Sequence, residues 1–401
     1  MSSSASKTPL HPETRLMHTG ERPSDHQGAV VPPLFQNSTF VFDGWDEIDA
    51  AFDDRTNAYL YSRLGNPTVR LTEEKLADLA GGERARLFAT GMGAISAAIL
   101  SVLRHGDHVV AVQNVYGPTS NFLERYLASR MKVGVTFVPG STVKDFDGAI
   151  TDKTRLIYLE SPSTAVFSLQ DIEAVSSLAR AKGIRTIIDN TWATPLFQKP
   201  LQLGIDLEVH SCSKYLGGHS DVLGGAVIGS REDLGRLSVE EVELLGGPMA
   251  PFSAWLLTRS LRTLPVRLRH IERSALDIAH FLEAHPAVES VRHPGLASHP
   301  QYELARRQMT GTTGLLAFTL ATDDVHAIKR FVDSLHLFQL GVSWGGHESL
   351  VYAPVISALK EYAPARFAEL GITPGVIRLS VGLEHPEDLI ADLDRALRVL
   401  A

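Results

Sequence analysis

Between Arg86 and Asp189, short runs rich in β-branched residues alternate with helical patterns, and this alternation confines the chain to a sheet with helices packed on its faces. From Thr68, the apolar Leu71, Leu76 and Leu79 recur among Glu73, Glu74, Lys75 and Asp78, which predicts an amphipathic helix ended by Gly81-Gly82. Strand signals follow at Arg86 to Ala89, His108 to Gln113, Val135 to Val138, Leu156 to Glu160 and Thr186 to Asp189. Helices are predicted between them. One is opened by Thr90-Gly91-Met92-Gly93-Ala94 and runs to about Leu103, one follows the turn Val115 to Thr119 and reaches about Arg130, and one spans about Ile172 to Lys182. The pattern gives a mainly parallel sheet in an α/β fold, and ligands collect at the carboxyl ends of such strands. Asp189 ends one strand, Tyr116 follows another, and Lys214 follows the apolar run Ile205 to Val209. These reactive side chains are therefore expected on one edge of the sheet.

A chain of 401 residues exceeds what one core usually holds, so two or three domains are expected. Residues 1–65 carry few periodic segments and many turn formers, and read as an arm whose apolar stretch Val30 to Phe42 docks on something. Residues 66–262 hold the alternating pattern, with Gly246 to Phe252 as a loop near its end. A long helical pattern runs from Ala254 to about His285, broken at Pro265. Within residues 263–401, strand signals at Val288 to Val291, Leu315 to Leu320 and Val376 to Val381 combine with helices at Val325 to Leu335 and from Pro386. They predict a smaller α/β domain.

Charge narrows the partners. Lys and Arg total 38 against 46 for Asp and Glu, a net charge of -8, with no polybasic run, which disfavours nucleic acid and anionic membrane. Cys212 is the lone cysteine, so an intrachain disulfide and a multi-cysteine metal site are excluded. The Ser-rich residues Met1 to Thr8 lack an apolar core, and no later stretch approaches membrane-spanning length. A soluble, cytoplasmic protein acting on a small molecule is expected.

The chemistry concentrates between His210 and Gly225, where Lys214 lies among small hydroxylic residues and ahead of two glycine pairs, Gly217-Gly218 and Gly224-Gly225. A lysine without charged company suits Schiff-base chemistry, which needs a desolvated amine. With Asp189, Tyr116 and the glycine turn it matches the needs of pyridoxal 5'-phosphate. Lys214 offers the amine for the aldehyde, Asp189 a carboxylate for the pyridine nitrogen, Tyr116 a stacking face, and Gly91, Met92, Ser211 and Ser213 amides and hydroxyls for the phosphate. The same glycine turn imitates a dinucleotide fingerprint, but Ser96 stands where its third glycine belongs, so a nicotinamide oxidoreductase is the distant alternative. His210 and His219 match no common zinc spacing, and no metal site is expected; Cys212 reads as a small buried side chain.

Several stretches carry a family resemblance: Tyr61 to Thr68, Ile188-Asp189-Asn190-Thr191, Ser213-Lys214-Tyr215-Leu216-Gly217-Gly218-His219-Ser220-Asp221, and Ile377 to Glu384. From about Thr14 onward the chain resembles the Cys/Met-metabolism group of pyridoxal-phosphate enzymes, which implies the aspartate-aminotransferase-like fold (fold type I). The resemblance implies that Tyr61 and Arg63 bind the phosphate held by a neighbouring subunit, within a homotetramer built of catalytic dimers. It implies that Arg378 clamps the substrate carboxylate, with Ser343 assisting, and that Lys214 carries the Cα proton to the departing sulfur. Tyr116 is also expected to help deprotonate the incoming amine.

Within that family, Trp192, the stretch Ser343-Trp344-Gly345-Gly346 and Ser163-Thr164-Ala165 resemble the cystathionine β-lyase branch, and the turn from Val115, with Pro118 and no cysteine, speaks against a methionine γ-lyase. The implied reaction is α,β-elimination of cystathionine to homocysteine, pyruvate and ammonia. A γ-acting relative, either a γ-lyase, a γ-synthase or a sulfhydrylase, would use the same cofactor residues and remains the near alternative.

Overall fold

Seven short strands make the larger sheet: β1 Arg84–Phe88, β2 His108–Val112, β3 Gly134–Val138, β4 Thr154–Glu160, β5 Arg185–Asp189, β6 Leu207–Ser211 and β7 Gly225–Gly229. They lie in the order β1-β7-β6-β5-β4-β2-β3. The computed structural model describes residues 10–361 and 371–400, so the Ser-rich opening falls outside the described residues. Strands β6, β5, β4, β2 and β3 pair in parallel, while β7 pairs antiparallel with both β6 and β1. The sheet is mixed, and the sequence reading missed β7. Its Gly-Ala-Val-Ile-Gly composition looks like an extension of the glycine loop, yet every residue of it is buried.

Its direction has a simple cause. The segment after β6 carries Lys214 and turns straight back into β7 without a crossover helix, and only an antiparallel partner can be reached that way. The loop holding the lysine is thus anchored at both ends by neighbouring central strands.

Apolar side chains of β2, β4 and β5, among them Val110, Ile157 and Ile188, are completely buried against the helix Gly91–Val102 and its neighbours. The smaller sheet contains β8 Val288–Arg292, β9 Leu315–Leu320, β10 Gln339–Leu340, β11 Leu350–Tyr352 and β12 Val376–Ser380, in the order β10-β11-β12-β9-β8. The long helical pattern from Ala254 is two helices, Pro251–Leu261 and Leu264–Ala284, with Pro265 in the first turn of the second, where its missing N–H leaves nothing unpaired. Leu264, Leu268 and Ile271 of that helix pack with Leu257 and Tyr215, whereas Ala275, Ile278 and Leu282 enter the core of the smaller sheet. One helix therefore serves both cores.

The arm docks by a part the sequence reading left unassigned. A helix, Pro12–His18, buries Leu16 against the helix Pro67–Ala80; Arg15 donates from Nε to Asp78 at 2.9 Å, and the buried Lys75 donates to the Leu16 carbonyl at 2.7 Å. The apolar stretch Val30 to Phe42 meets the start of the same helix through Phe35, whose N–H donates to Thr68 Oγ1 at 2.9 Å and whose carbonyl accepts from Asn66 Nδ2 at 2.9 Å, while Val30 is 81% and Val41 91% exposed on the single chain.

Candidate active site

The site begins with three strand ends. Glu160 closes β4, Asp189 closes β5 and Ser211 closes β6, all at the carboxyl edge of the larger sheet. Facing them is the N-terminus of the helix Gly91–Val102, capped by Thr90, whose side chain accepts from the Gly93 N–H at 2.9 Å. A Cβ on Gly91 would stand 2.9 Å from Ser211 Oγ and 3.2 Å from Ser211 Cα, so only glycine lets this helix end meet the strand end. The free first-turn amides and the positive end of the helix dipole then point into the cleft beside two serines.

The cleft has a volume of about 530 Å³ and is lined by Gly91, Met92, Tyr116, Asp189, Ser211, Ser213 and Lys214 from the segments around the larger sheet, together with Ser343, Trp344 and Arg378 from those around the smaller sheet. Expected residues far apart in sequence thus meet in one place. Tyr61 and Arg63 do not line it. They lie on the arm, where the Arg63 guanidinium stacks over the Tyr61 ring at 5.6 Å and Ser62 N–H donates to the Ser38 carbonyl at 2.8 Å.

Lys214 Nζ donates to Ser343 Oγ at 2.6 Å and lies 5.3 Å from the centre of the Trp344 ring. Burial, and then the nearby Arg378 cation, push its pKa down to about 8. The backbone of the Trp344 loop comes down on that of the lysine: Gly345 has φ +82°, and a Cβ there would stand 2.9 Å from Tyr215 N and 3.2 Å from Lys214 Cα. Arg378 donates to the Val342 carbonyl at 2.8 Å and stacks over the Tyr352 ring at 5.0 Å; burial pushes its pKa down to about 10. It stays a cation at neutral pH.

Asp189 is buried, and its Oδ1 accepts from the backbone N–H of Thr191 at 3.0 Å and from the Thr191 hydroxyl. The hydroxyl oxygen of Thr191 in turn accepts the Ser211 N–H at 2.8 Å, which commits its single proton to Asp189. Burial raises the Asp189 pKa, opposed by Thr191 and by the neighbouring His210. Behind it the buried His210, Glu208 and Asn190 form a hydrogen-bonded group, with His210 Nε2 and Asn190 Nδ2 each 2.7 Å from Glu208 Oε1.

Other expected residues have these surroundings. Trp192 touches the cleft but is only 5% exposed, and its Nε1–H donates to the Leu315 carbonyl at 3.1 Å, so most of the indole belongs to the core. The Tyr116 phenol is pushed up by burial and then by Asp189 and Glu160, against Arg378, so it keeps its proton in the cofactor-free site and is poorly suited to receive one from an amine. Ser213 Oγ accepts the Gly224 N–H at 3.1 Å, which ties it to the loop. His219 Nδ1 lies 2.8 Å from the Gly217 carbonyl, and Cys212 is buried with its thiol pushed up by desolvation. Among the described residues no group of three or more His, Cys, Asp or Glu is placed to hold a metal, and no helix is long and apolar enough to cross a membrane. Sequence reasoning missed Glu160 as a site residue; the available signal was its position as the last residue of a predicted strand, and the structure sets it level with Asp189 on the next.

A buried carboxylate, a desolvated lysine, an aromatic face and a helix N-terminus converging on one cleft fit the aldehyde, pyridine ring and phosphate of pyridoxal phosphate, and define an enzyme dependent on that cofactor. Residues 13–398 match the model of the Cys/Met metabolism PLP-dependent enzyme family, and the chain belongs to that family. It is 42% identical over 386 residues to an L-methionine gamma-lyase of Porphyromonas gingivalis, covering 96% of each chain. A cystathionine gamma-lyase of Bacillus subtilis is 37% identical over 389 residues, with 96% of this chain and 98% of the relative covered. For a cystathionine beta-lyase of Lactococcus lactis the identity is 38% over 387 residues, with the same shares covered. The family replaces the nicotinamide alternative.

Proposed function

We propose that this protein is a carbon–sulfur lyase that cleaves cystathionine by α,β-elimination, releasing homocysteine and an enamine that water converts to pyruvate and ammonia. The observation supporting the reading is the contact of Lys214 with Ser343 beneath Trp344, with Arg378 beside it, because such an elimination needs a proton carrier next to a group that can hold the substrate carboxylate. Bound pyridoxal phosphate would supply the electron sink for a broken Cα–H bond.

The chain's own residues do the rest. Arg378 presents a guanidinium fork to the substrate carboxylate, a bidentate task unsuited to lysine. Ser343, already hydrogen-bonded to Lys214, supports that end of the substrate. Lys214 Nζ takes the Cα proton and returns it to the sulfur as the Cβ–S bond breaks, so one group acts as base and then acid. With pyridoxal phosphate bound, Asp189 would hold the ring nitrogen in its charged form, Tyr116 would cover a ring face, and Ser211, Ser213 and the amides of Gly91 and Met92 would hold the phosphate. Tyr61 and Arg63 are assigned to the phosphate of a neighbouring subunit, since they lie on an exposed arm away from their own cleft. The exposed Val30 and Val41 on that arm support association of copies, a tetramer of two catalytic dimers being the proposed form.

A γ-elimination is the second reading, favoured by the methionine gamma-lyase and cystathionine gamma-lyase names among the relatives. The cofactor residues serve either reaction. Identifying the keto acid released from L-cystathionine separates them.

A further inference from the structure

Two carboxyl groups stand side by side on the floor of the cleft. Strands β4 and β5 pair in parallel with Glu160 opposite Asp189, and adjacent positions in such a pair point to the same face. Glu160 is 8% and Asp189 7% exposed, and both line the cleft. Asp189 is placed for the cofactor ring; Glu160 has no part in the elimination described above.

What Glu160 does is visible in its partners. Its Oε2 accepts the backbone N–H of Tyr116 at 2.7 Å, and its Oε1 accepts the Thr164 hydroxyl. Thr164 N–H donates to the Asn114 carbonyl at 3.1 Å, so the loop after β2 and the loop after β4 are closed onto each other through this carboxyl. Tyr116 also ends the loop by accepting Thr119 N–H at 2.8 Å, which leaves its ring, 45% exposed, carried by a backbone anchored to the sheet through Glu160. The groups around the carboxyl are Asp189, the phenols of Tyr116 and Tyr158, and the Arg378 cation beyond. Burial and then Asp189 push Glu160 up to about 8, above the ordinary carboxyl range, which eases the repulsion of two acids standing side by side.

We propose that Glu160 is a positioning residue of this cleft: its carboxyl spans the Tyr116 backbone and the Thr164 hydroxyl, and that span sets where the Tyr116 ring lies over a bound cofactor. The proposal rests on the reading of the cleft as a pyridoxal-phosphate site and deepens it. Reach matters here and charge does not. Glu160→Gln keeps the reach, because its carbonyl accepts the Tyr116 N–H and its amide can donate to Thr164 Oγ1. Glu160→Asp keeps the carboxyl but is one methylene too short to hold both partners.

The test reconstitutes wild type, Glu160→Gln and Glu160→Asp with pyridoxal phosphate and records the visible absorbance, the induced circular dichroism of that band, the cofactor Kd and the split between kcat and KM. Induced dichroism reports how firmly the ring is held in one orientation, which a loss of general stability does not mimic. Glu160→Gln is expected to keep the wild-type signal and a Kd within about twofold. Glu160→Asp is expected to lose at least half of the signal and bind the cofactor about tenfold more weakly, the loss of one good hydrogen bond. An unaltered Glu160→Asp spectrum, or a Glu160→Gln protein as impaired as Glu160→Asp, would overturn the proposal alone. Absence of the band from wild type would overturn the cofactor reading and the proposal with it. Should Glu160→Asp fail to fold, Thr164→Val removes one end of the span, and a wild-type induced signal from it overturns the idea.

Discussion

Lys214 and Ser343 lie 129 positions apart in sequence, and the lysine amine donates to the serine hydroxyl at 2.6 Å across the cleft. The amine is held with its pKa pushed down to about 8 from an ordinary 10.5. Only the neutral amine attacks an aldehyde, so the rate at which the cofactor-free protein takes up pyridoxal phosphate should rise with pH through a midpoint near 8, measured by stopped-flow absorbance. The stability linkage has a definite sign. Below pH 8 both folded and unfolded chains hold the proton and the fold bears the full burial penalty; between 8 and 10.5 the unfolded chain binds more protons, so stability rises with pH. Lys214→Met should remove that rise from the cofactor-free protein, as followed by urea denaturation.

Arg378 is positioned by the Val342 carbonyl and the Tyr352 ring, both of which read a planar guanidinium. Arg378→Lys should raise KM by about 10- to 100-fold, the loss of a charged hydrogen bond worth about 1.5–3 kcal/mol, with the cofactor Kd little changed. Steady-state kinetics beside a spectroscopic cofactor titration separates the two.

The two tryptophans should behave differently. Trp192→Phe removes the hydrogen bond to the Leu315 carbonyl and should cost about 1 kcal/mol of stability in denaturant unfolding while leaving the product ratio alone. Trp344→Leu changes a ring that faces the reactive amine and should alter the ratio of pyruvate to oxobutyrate. Equal effects on the ratio would contradict the assignment of Trp192 to the core.

The arm residues give a test of a shared site. Lys214→Ala and Arg63→Ala proteins should each be inactive or nearly so, and mixing them under conditions that exchange subunits should restore activity, because a mixed dimer contains one site with both residues intact. No recovery despite exchange would remove support for Arg63 acting on a neighbouring subunit.

Much of this arrangement was legible in the sequence for a physical reason. Strand ends are marked by the switch from β-branched runs to glycine and hydroxylic residues, so Asp189, Tyr116 and the Gly91 turn could be placed on one edge before any coordinates. Other features depend on tertiary context. Gly225–Gly229 is covered by neighbouring strands on both sides, and the three apolar residues between its glycines, Ala226, Val227 and Ile228, are too short a run to announce a strand after a glycine-rich loop. Trp192 is a pocket residue by sequence likeness and a core residue by its bond to Leu315, a partner 123 positions away. Glu160 looks like any carboxylate closing a strand; its significance comes from the register that sets it beside Asp189. The arm's docking helix was hidden because Leu16 alone provides its buried apolar contact, too little for a periodic signal.

The central claim is α,β-elimination, and the most direct measurement is to incubate the purified protein with pyridoxal phosphate and L-cystathionine and identify the keto acid and thiol released. Pyruvate with homocysteine is the expected result. Oxobutyrate with cysteine would contradict it, leaving the cofactor site standing and assigning the chain to the γ-acting side of its family.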